Sequence, residues 1–113
     1  MSSLTEYIRW YADFSFYDKQ FNEIDNLILS TLTYYHYEMK DSSRPLSLRR
    51  CVTDSVENDS FLSAVYHSRR FGTLMISDFT EIFSRDTGTQ FAAMKFHLYD
   101  QVYYIAFRGT DNS

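Results

Sequence analysis

The sequence contains few of the residues that are abundant in disulfide-bonded, metal-binding or disordered chains. Its 113 residues include one cysteine, one proline and three glycines. The single cysteine, Cys51, excludes a disulfide within the chain and supplies no ligand cluster, so no metal site is expected. The scarcity of glycine and proline argues against disorder. Packing of side chains must therefore hold the fold.

Basic excess and long apolar runs are also missing. Eleven Lys and Arg stand against fifteen Asp and Glu, so no positive field attracts phosphates and no nucleic-acid partner is expected. The Arg49–Arg50 and Arg69–Arg70 pairs are predicted to be solvated helix ends. No apolar run approaches the ~18 residues that span a bilayer, and residues 1–6 do not resemble a signal peptide. We therefore expect a cytoplasmic protein without a transmembrane segment.

The chain is rich in aromatic residues, which make up 19% of the sequence. Because each ring carries a large apolar area, an aromatic core or interface is expected. The spacing of apolar residues matches that of a helical face and predicts helices in residues 1–72. The clearest runs from about Asn22 to Tyr35, with Asn22 as its N-cap. Its predicted apolar stripe consists of Ile24, Leu27, Ile28, Leu32 and Tyr35.

Three further helices are predicted in the same half. They cover residues 4–11, 46–52 and 59–70, and the last begins at an Asp59–Ser60 cap. Gly72 stands where a helix C-cap belongs. The segment Asp41–Pro45 is the strongest break between these elements.

From residue 73 to residue 113 apolar side chains recur at every second position, which predicts strands that form an antiparallel meander. The first strand runs from Leu74 to about Ser84 and the hairpin turn from Arg85 to Gly88. The second strand is predicted to bury Ala92, Met94, Phe96 and Leu98, and to place Phe91, Ala93, Lys95 and His97 on a mixed face. This order of elements gives the chain alone an α+β class.

The last strand, Val102–Phe107, is apolar on both faces, which is typical of a strand covered on both sides. We therefore expect it to be central in its sheet. A sheet that ended on such a strand would expose an apolar edge, which proteins avoid. Helices, a partner or further strands would cover it, and further strands are favoured.

The strand and turn Tyr103–Asp111 resemble those of lipase-like α/β-hydrolases related to the class 3 lipases. The segments Gln90–Met94, Asn22–Asp25 and Arg70–Gly72 also fit an uncharacterised bacterial branch of that group. The resemblance covers most of this chain but only the opening part of a full hydrolase. It implies an α/β fold, in which residues 1–113 supply the first strands of an incomplete α/β-hydrolase sheet.

The resemblance further implies Ser-His-Asp chemistry on an ester or lipid-like substrate, with no cofactor. It assigns Thr110 to the oxyanion hole through its backbone N–H, a role worth ~2.7–4 kcal/mol per donor. A plain strand-end turn is the alternative role for Thr110. The nucleophile elbow Gly-x-Ser-x-Gly is missing from the sequence. The expectation is therefore an N-terminal fragment of an intracellular serine hydrolase that is inactive alone.

Other interpretations remain open. A complete, non-catalytic α+β interaction module would use its aromatic surface or sheet edge to bind a partner, including a second copy on the edge strand. A cleaved chain would instead bind its missing C-terminal part. His36 is expected at the edge of an aromatic core and His97 at the surface. Cys51 is expected to be an inert buried thiol, although the preceding arginines favour a lower pKa.

Overall fold

The computed structural model describes residues 2–109, which form helices and one antiparallel sheet. In chain order the elements are α1 (Ser2–Trp10), α2 (Glu23–Leu32), β1 (Leu46–Ser47), α3 (Leu48–Cys51), α4 (Ser60–His67), α5 (Arg69–Gly72), β2 (Met75–Ser84), β3 (Thr89–Tyr99) and β4 (Val102–Gly109). The strands lie in the spatial order β1-β2-β3-β4, and each pairs antiparallel with its neighbour. The predicted α+β class is confirmed.

Helix α2 begins as its sequence predicts. The side-chain oxygen of Asn22 accepts hydrogen bonds from the backbone N–H groups of Ile24 at 2.8 Å and Asp25 at 3.1 Å. The Asp25 carboxylate accepts one in return from the backbone N–H of Asn22 at 3.0 Å. This reciprocal arrangement is a capping box, which satisfies donors that a helix start leaves free. The helix ends at Leu32, three residues before the predicted Tyr35.

A buried ion pair joins α2 to α5. Arg70 donates from Nη2 to Asp25 Oδ2 at 2.6 Å and from Nε to Asp25 Oδ1 at 3.1 Å, and both side chains are fully buried. The hydroxyl of Tyr7 in α1 also donates to Asp25 Oδ1. The guanidinium further donates to four backbone carbonyls of the loop between α1 and α2, those of Phe14, Ser15, Lys19 and Gln20. The prediction of a solvated Arg69–Arg70 pair is therefore wrong for Arg70.

This ion pair also corrects the predicted face of α2. The buried residues of the helix are Asp25, Ile28, Leu29 and Leu32. Ile24 and Leu27, which the apolar stripe placed inside, are 42% and 49% exposed. Because Asp25 must meet Arg70 in the interior, the helix is turned so that the two aliphatic side chains face outward.

The predicted helix over residues 59–70 is two helices in the structure. Asp59 caps α4, as expected, by accepting from the backbone N–H of Leu62 at 2.9 Å. Ser68 then leaves the helical conformation, with ψ of 140°, and its hydroxyl accepts from the backbone N–H of Phe71 to cap α5. Ser68 can end one helix and begin the next because its side chain replaces a helical partner.

Gly72 lies inside α5 rather than after it, and it is needed for close packing. A Cβ atom there would lie 2.7 Å from Nε of Arg49 and would also contact the backbone oxygen of Tyr66. Arg49 is held at this point because its Nε donates to that oxygen at 2.5 Å. Arg49 is thus half-buried, and the prediction that the Arg49–Arg50 pair is solvated is wrong for this residue.

The helices pack on one face of the sheet. Ile76, Met94, Phe96 and Ala106 on that face belong to the same core as side chains of the helices. The alternation predicted for β3 is confirmed, since Ala92, Met94 and Phe96 are buried. The register of β2 shifts between Ser77 and Thr80, where Asp78 adopts a positive φ of 55°.

Strand β4 is the edge of the sheet formed by residues 2–109, not a central strand as expected. Its covered side contacts α2: the Tyr104 hydroxyl donates to the side-chain oxygen of Asn26, and Arg108 Nη1 donates to the carbonyl oxygen of Thr33 at 3.0 Å. Arg108 also pairs with Glu81 across the sheet at 2.9 Å. No described residue forms a layer over the other side of the strand, so within residues 2–109 the helices cover one face only.

We expect Asp25→Asn and Arg70→Met each to lower the free energy of unfolding by about 3–5 kcal/mol, since each leaves a buried partner uncompensated. The double variant should lose clearly less than the sum of the two, because the second change removes the orphaned group. Urea unfolding followed by circular dichroism measures all three. Additive losses would contradict a direct interaction between the two side chains.

Gly72→Ala should destabilise the fold by about 1–3 kcal/mol through overpacking. Gly109→Ala is the matched control, because a Cβ atom at residue 109 meets nothing within 4 Å. Thermal unfolding of both variants against the parent chain checks this. Equal melting temperatures for the two variants would show that residue 72 has room for a methyl group.

Candidate interaction surface

The side of the sheet away from the helices is defined here as the open face. Strand register places Ile82 opposite Phe91, Ala93 opposite Phe107, and Lys95 opposite Ile105. Since neighbouring residues of a strand point to opposite faces, these side chains share one surface. With the other residues of matching register, the open face contains Met75, Ser77, Thr80, Ile82, Phe91, Ala93, Lys95, His97, Tyr103, Ile105, Phe107 and Gly109.

The open face is mainly apolar, and its side chains on β4 and at Ile82 are largely accessible to solvent. Phe107 is 62% exposed, Ile82 56%, Ile105 52% and Tyr103 40%. The rings of Phe91 and Phe107 lie 5.9 Å apart between centroids, so the patch is continuous from β3 to β4. Contiguous exposed patches of this kind mark sites of interaction rather than ordinary surface.

Lys95 is the charged side chain at the middle of this surface. Its Nζ lies 4.1 Å above the centroid of the Tyr103 ring, a cation–π contact. The Tyr103 ring also stands perpendicular to His97, with 4.9 Å between centroids. The contact holds the lysine stem along the surface, so its aliphatic part adds to the apolar patch.

The outer edge of β4 borders the open face. Within residues 2–109 no strand pairs with that edge. Natural edge strands are blunted by proline, free lysine or inward charges. The segment Val102–Gly109 has no proline and one charged residue, Arg108, which is 8% exposed and already bound to Thr33 and Glu81. Arg108 is therefore an inward charge on this strand, paired with Glu81, while proline and lysine are absent from it.

The sequence predicted a catalytic role for Thr110, and this residue lies outside the described part of the chain, as does Asp111. The structure therefore gives no geometry for an oxyanion hole.

Among the described residues, the contact between Ser77 and His97 resembles that of a nucleophile with its base. The Ser77 hydroxyl oxygen lies 2.8 Å from His97 Nε2. That hydroxyl also contacts Asp78 Oδ2 at 3.1 Å, so it is shared between two partners. Ser77 is also only 2% exposed. Burial, together with the positive charge of Lys95, lowers the pKa of His97. The contact between Ser77 and His97 lies beside the bulge at Asp78, and the buried Ser77 hydroxyl is not an accessible nucleophile.

The other titratable candidates are separate from one another. His36 binds Asp54 at the surface, with 3.1 Å between Nδ1 and Oδ1, and its side chain is 66% exposed rather than at a core edge. Nδ1 of His67 lies 2.9 Å from the carbonyl oxygen of Ser63 one turn earlier. Among the described residues, no group of three or more His, Cys, Asp or Glu is placed to hold a metal ion.

Cys51 is buried, and burial raises the pKa of its thiol to about 11. The preceding arginines do not lower it: Arg49 is occupied by the carbonyls of Tyr66 and Ser68. The thiol lies 3.8 Å from the backbone oxygen of Leu48 and is the inert group that the sequence predicted.

Comparison with known proteins gives one match. A protein-family model described as Mbeg1-like matches residues 65–113, which is 49 of the 113 residues. Its described part spans the end of α4, α5 and strands β2–β4, so it includes the entire open face. No curated protein and no solved structure matches the chain.

The resemblance to lipase-like α/β-hydrolases is wrong, because the matching family model is Mbeg1-like and not a lipase family. The hydrolase and lipase interpretations drawn from it lose their support. The misleading pattern was an apolar strand that ends in Arg108–Gly109. In the structure this arginine is explained by packing, since its guanidinium joins β4 to α2 and β2.

None of the helices in residues 2–109 combines the length and the apolar character needed to cross a membrane.

We expect Cys51 to resist alkylation and disulfide exchange in the folded chain at about pH 8, where a pKa of about 11 leaves roughly one thiol in 1,000 ionised. In concentrated urea the same thiol should react completely within minutes. Disulfide exchange with dithiobis(nitrobenzoate) releases thionitrobenzoate, and its absorbance measures the reaction of the folded chain and of the chain in urea. Rapid reaction of the folded chain would show that the thiol is accessible and activated.

Proposed function

We propose that this chain is a non-catalytic α+β protein-interaction module that binds a protein partner through the open face and the edge of β4. The observation that carries this proposal is an apolar surface, extending over β2, β3 and β4, with no layer of described residues above it. The surface lies beside the edge of β4, a strand without proline or lysine.

The two features give complementary contributions to binding. Burying apolar surface contributes roughly 25 cal/mol per Å², which would drive association on the open face. A strand added to the β4 edge would satisfy unpaired backbone groups and fix the direction of the partner. The aromatic side chains of Tyr103 and Phe107 are of the type that dominates binding energy at interfaces.

The charge of the surface favours a protein over a phosphate-bearing partner. Lys95 is the charged residue of the open face, and the chain carries a net charge of −4. Phosphate recognition needs several cations on one surface. A partner that matches this surface instead presents an extended segment with apolar side chains at alternate positions.

The arrangement of titratable groups supports a binding role over a catalytic one. A nucleophile must lie within reach of both its base and a substrate. Ser77 is closed off from solvent, and the thiol of Cys51 is buried and protonated. The pair of His36 and Asp54 lies at the surface, and the neighbouring Thr53 hydroxyl donates to the backbone oxygen of His36 rather than to its ring.

Site-specific photocrosslinking in cells tests the proposal. The photoreactive residue p-benzoylphenylalanine replaces Phe107 on the open face or, as the matched control, Trp10 on α1. Both positions hold large aromatic side chains, and Trp10 is 74% exposed. We expect a discrete crosslinked protein band from position 107 and none from position 10.

Equal labelling at the two positions, or no adduct at position 107, would contradict a binding role for the open face. Introducing Ile105→Lys into the position-107 variant adds a second check. It places a charge beside the crosslinker and should remove the band while the chain remains folded by circular dichroism.

A further inference from the structure

We infer that a cavity at one end of the sheet binds a small zwitterion with a carboxylate, an ammonium group and an apolar body, as free amino acids and dipeptides have. The cavity has a volume of about 400 Å³, within the ~300–1,000 Å³ of small-molecule sites. Its lining comes from the α1–α2 loop, from α5 and the residues after it, from the start of β2 and from the end of β3 with its turn. The inference goes beyond the proposed function, since its ligand is a small molecule rather than a protein.

The floor of the cavity is apolar and preformed. Phe16 and Leu74 in the lining are buried, and Leu98 is half-buried. The Phe16 ring is held in place by the Arg70 guanidinium, 3.9 Å from its centroid, and by the edge-on Phe71 ring, 5.7 Å away. A fixed apolar floor of this kind takes up the hydrocarbon part of a ligand, while a few polar groups orient it.

Two opposite charges line the cavity without pairing. Arg69 and Asp100 are both exposed in the lining. Among residues 2–109, neither side chain forms an ion pair or a hydrogen bond, with the other or with any other group. Arg70 also lines the cavity, but its guanidinium is occupied by Asp25 and four backbone carbonyls. Arg69 is thus the cation that the lining offers to a ligand, and Asp100 is the anion.

The fold itself does not use either charge. Asp100 has a positive φ of 44° in the turn between β3 and β4. Glycine and asparagine also occupy turn positions of this kind, so the turn does not require a carboxylate. Arg69 differs from the neighbouring Arg70 in the same way, since its guanidinium donates to no carbonyl of residues 2–109. Both charges are therefore available for binding.

The sign of the two charges selects the ligand. A carboxylate can accept two parallel hydrogen bonds from the planar guanidinium of Arg69. An ammonium group can donate to the carboxylate of Asp100. A phosphate would bring further negative charge toward Asp100, and a fatty acid would leave Asp100 without a partner. A zwitterion with an apolar side chain satisfies both charges and the floor. Free amino acids and dipeptides differ in the separation of their charges, so the experiment compares the two.

Isothermal titration calorimetry of the purified chain measures the binding of four probes. L-Phenylalanine and glycyl-L-phenylalanine carry both charges at different separations. N-Acetyl-L-phenylalanine lacks the ammonium group, and phenethylamine lacks the carboxylate. We expect one of the two zwitterions to bind about ten- to a hundred-fold more tightly than either singly charged probe, because each of these lacks one hydrogen-bonded charge. The tighter zwitterion identifies the source as a free amino acid or a dipeptide.

Single substitutions assign each charge of the ligand to its side chain. Arg69→Gln should weaken the tighter zwitterion about ten-fold or more and leave phenethylamine unchanged. Asp100→Asn should weaken the same zwitterion and leave N-acetyl-L-phenylalanine unchanged. Arg50→Gln and Asp86→Asn are the matched controls, because both side chains are exposed and lie outside the lining of the cavity. These two variants should bind the zwitterion like the parent chain, and circular dichroism should show all four variants folded.

Three outcomes would overturn the inference. The first is that neither zwitterion binds saturably to the folded parent chain. The second is that all four probes bind with equal affinity. The third is that the control substitutions weaken binding as much as Arg69→Gln and Asp100→Asn do, because the overall charge of the chain would then govern binding. None of these outcomes bears on the crosslink at position 107, so the proposed function stands or fails separately.

Discussion

The ion pair of Arg70 and Asp25 is the constraint on which the helical layer depends. One guanidinium meets the carboxylate of α2 and the carbonyls of the α1–α2 loop, and Tyr7 of α1 donates to the same carboxylate. Because both charges are fully buried, neither can lose the other without a large desolvation cost. The pair thus fixes how α1, α2 and α5 pack together. It also sets the rotation of α2, which leaves Leu27 on the outside and places Asn26 and Thr33 against β4.

The local parts of this fold could be predicted from the sequence because their causes are local. Asn22 followed by Asp25 predicts a capped helix, and alternation along β3 predicts which side chains are buried. The burial of Arg70 could not be predicted in this way, since its partner lies 45 residues earlier and an arginine pair ordinarily signals a solvated surface. The same long-range contact explains why the apolar stripe predicted for α2 is wrong at Ile24 and Leu27.

The candidate site was visible in the sequence, but its geometry was not. An apolar strand over Val102–Phe107 predicts burial on both faces, and the pattern does not say whether the cover comes from the same chain. In the structure α2 covers Tyr104, Ala106 and Arg108, whereas Tyr103, Ile105 and Phe107 face outward. Arg108 and Gly109 suggested an enzyme because a strand that ends in a polar turn looks like a site. The contacts of Arg108 instead link the sheet to helix α2. The functional candidate is therefore the outward apolar side of the strand, which carries Tyr103, Ile105 and Phe107.

The two ends of the sheet differ in a way that limits how far an assembly can grow. At one end β4 presents eight residues without proline or lysine, whereas β1 at the other end is only two residues long. Beyond β1, the exposed side of β2 is interrupted by the bulge at Asp78, whose backbone N–H is taken by the carbonyl of Ser42. Among residues 2–109, a further strand can therefore add at the β4 edge but not at the β1 edge. An asymmetry of this kind favours a discrete complex over a fibre, because a strand added at one edge is not followed by another at the opposite edge.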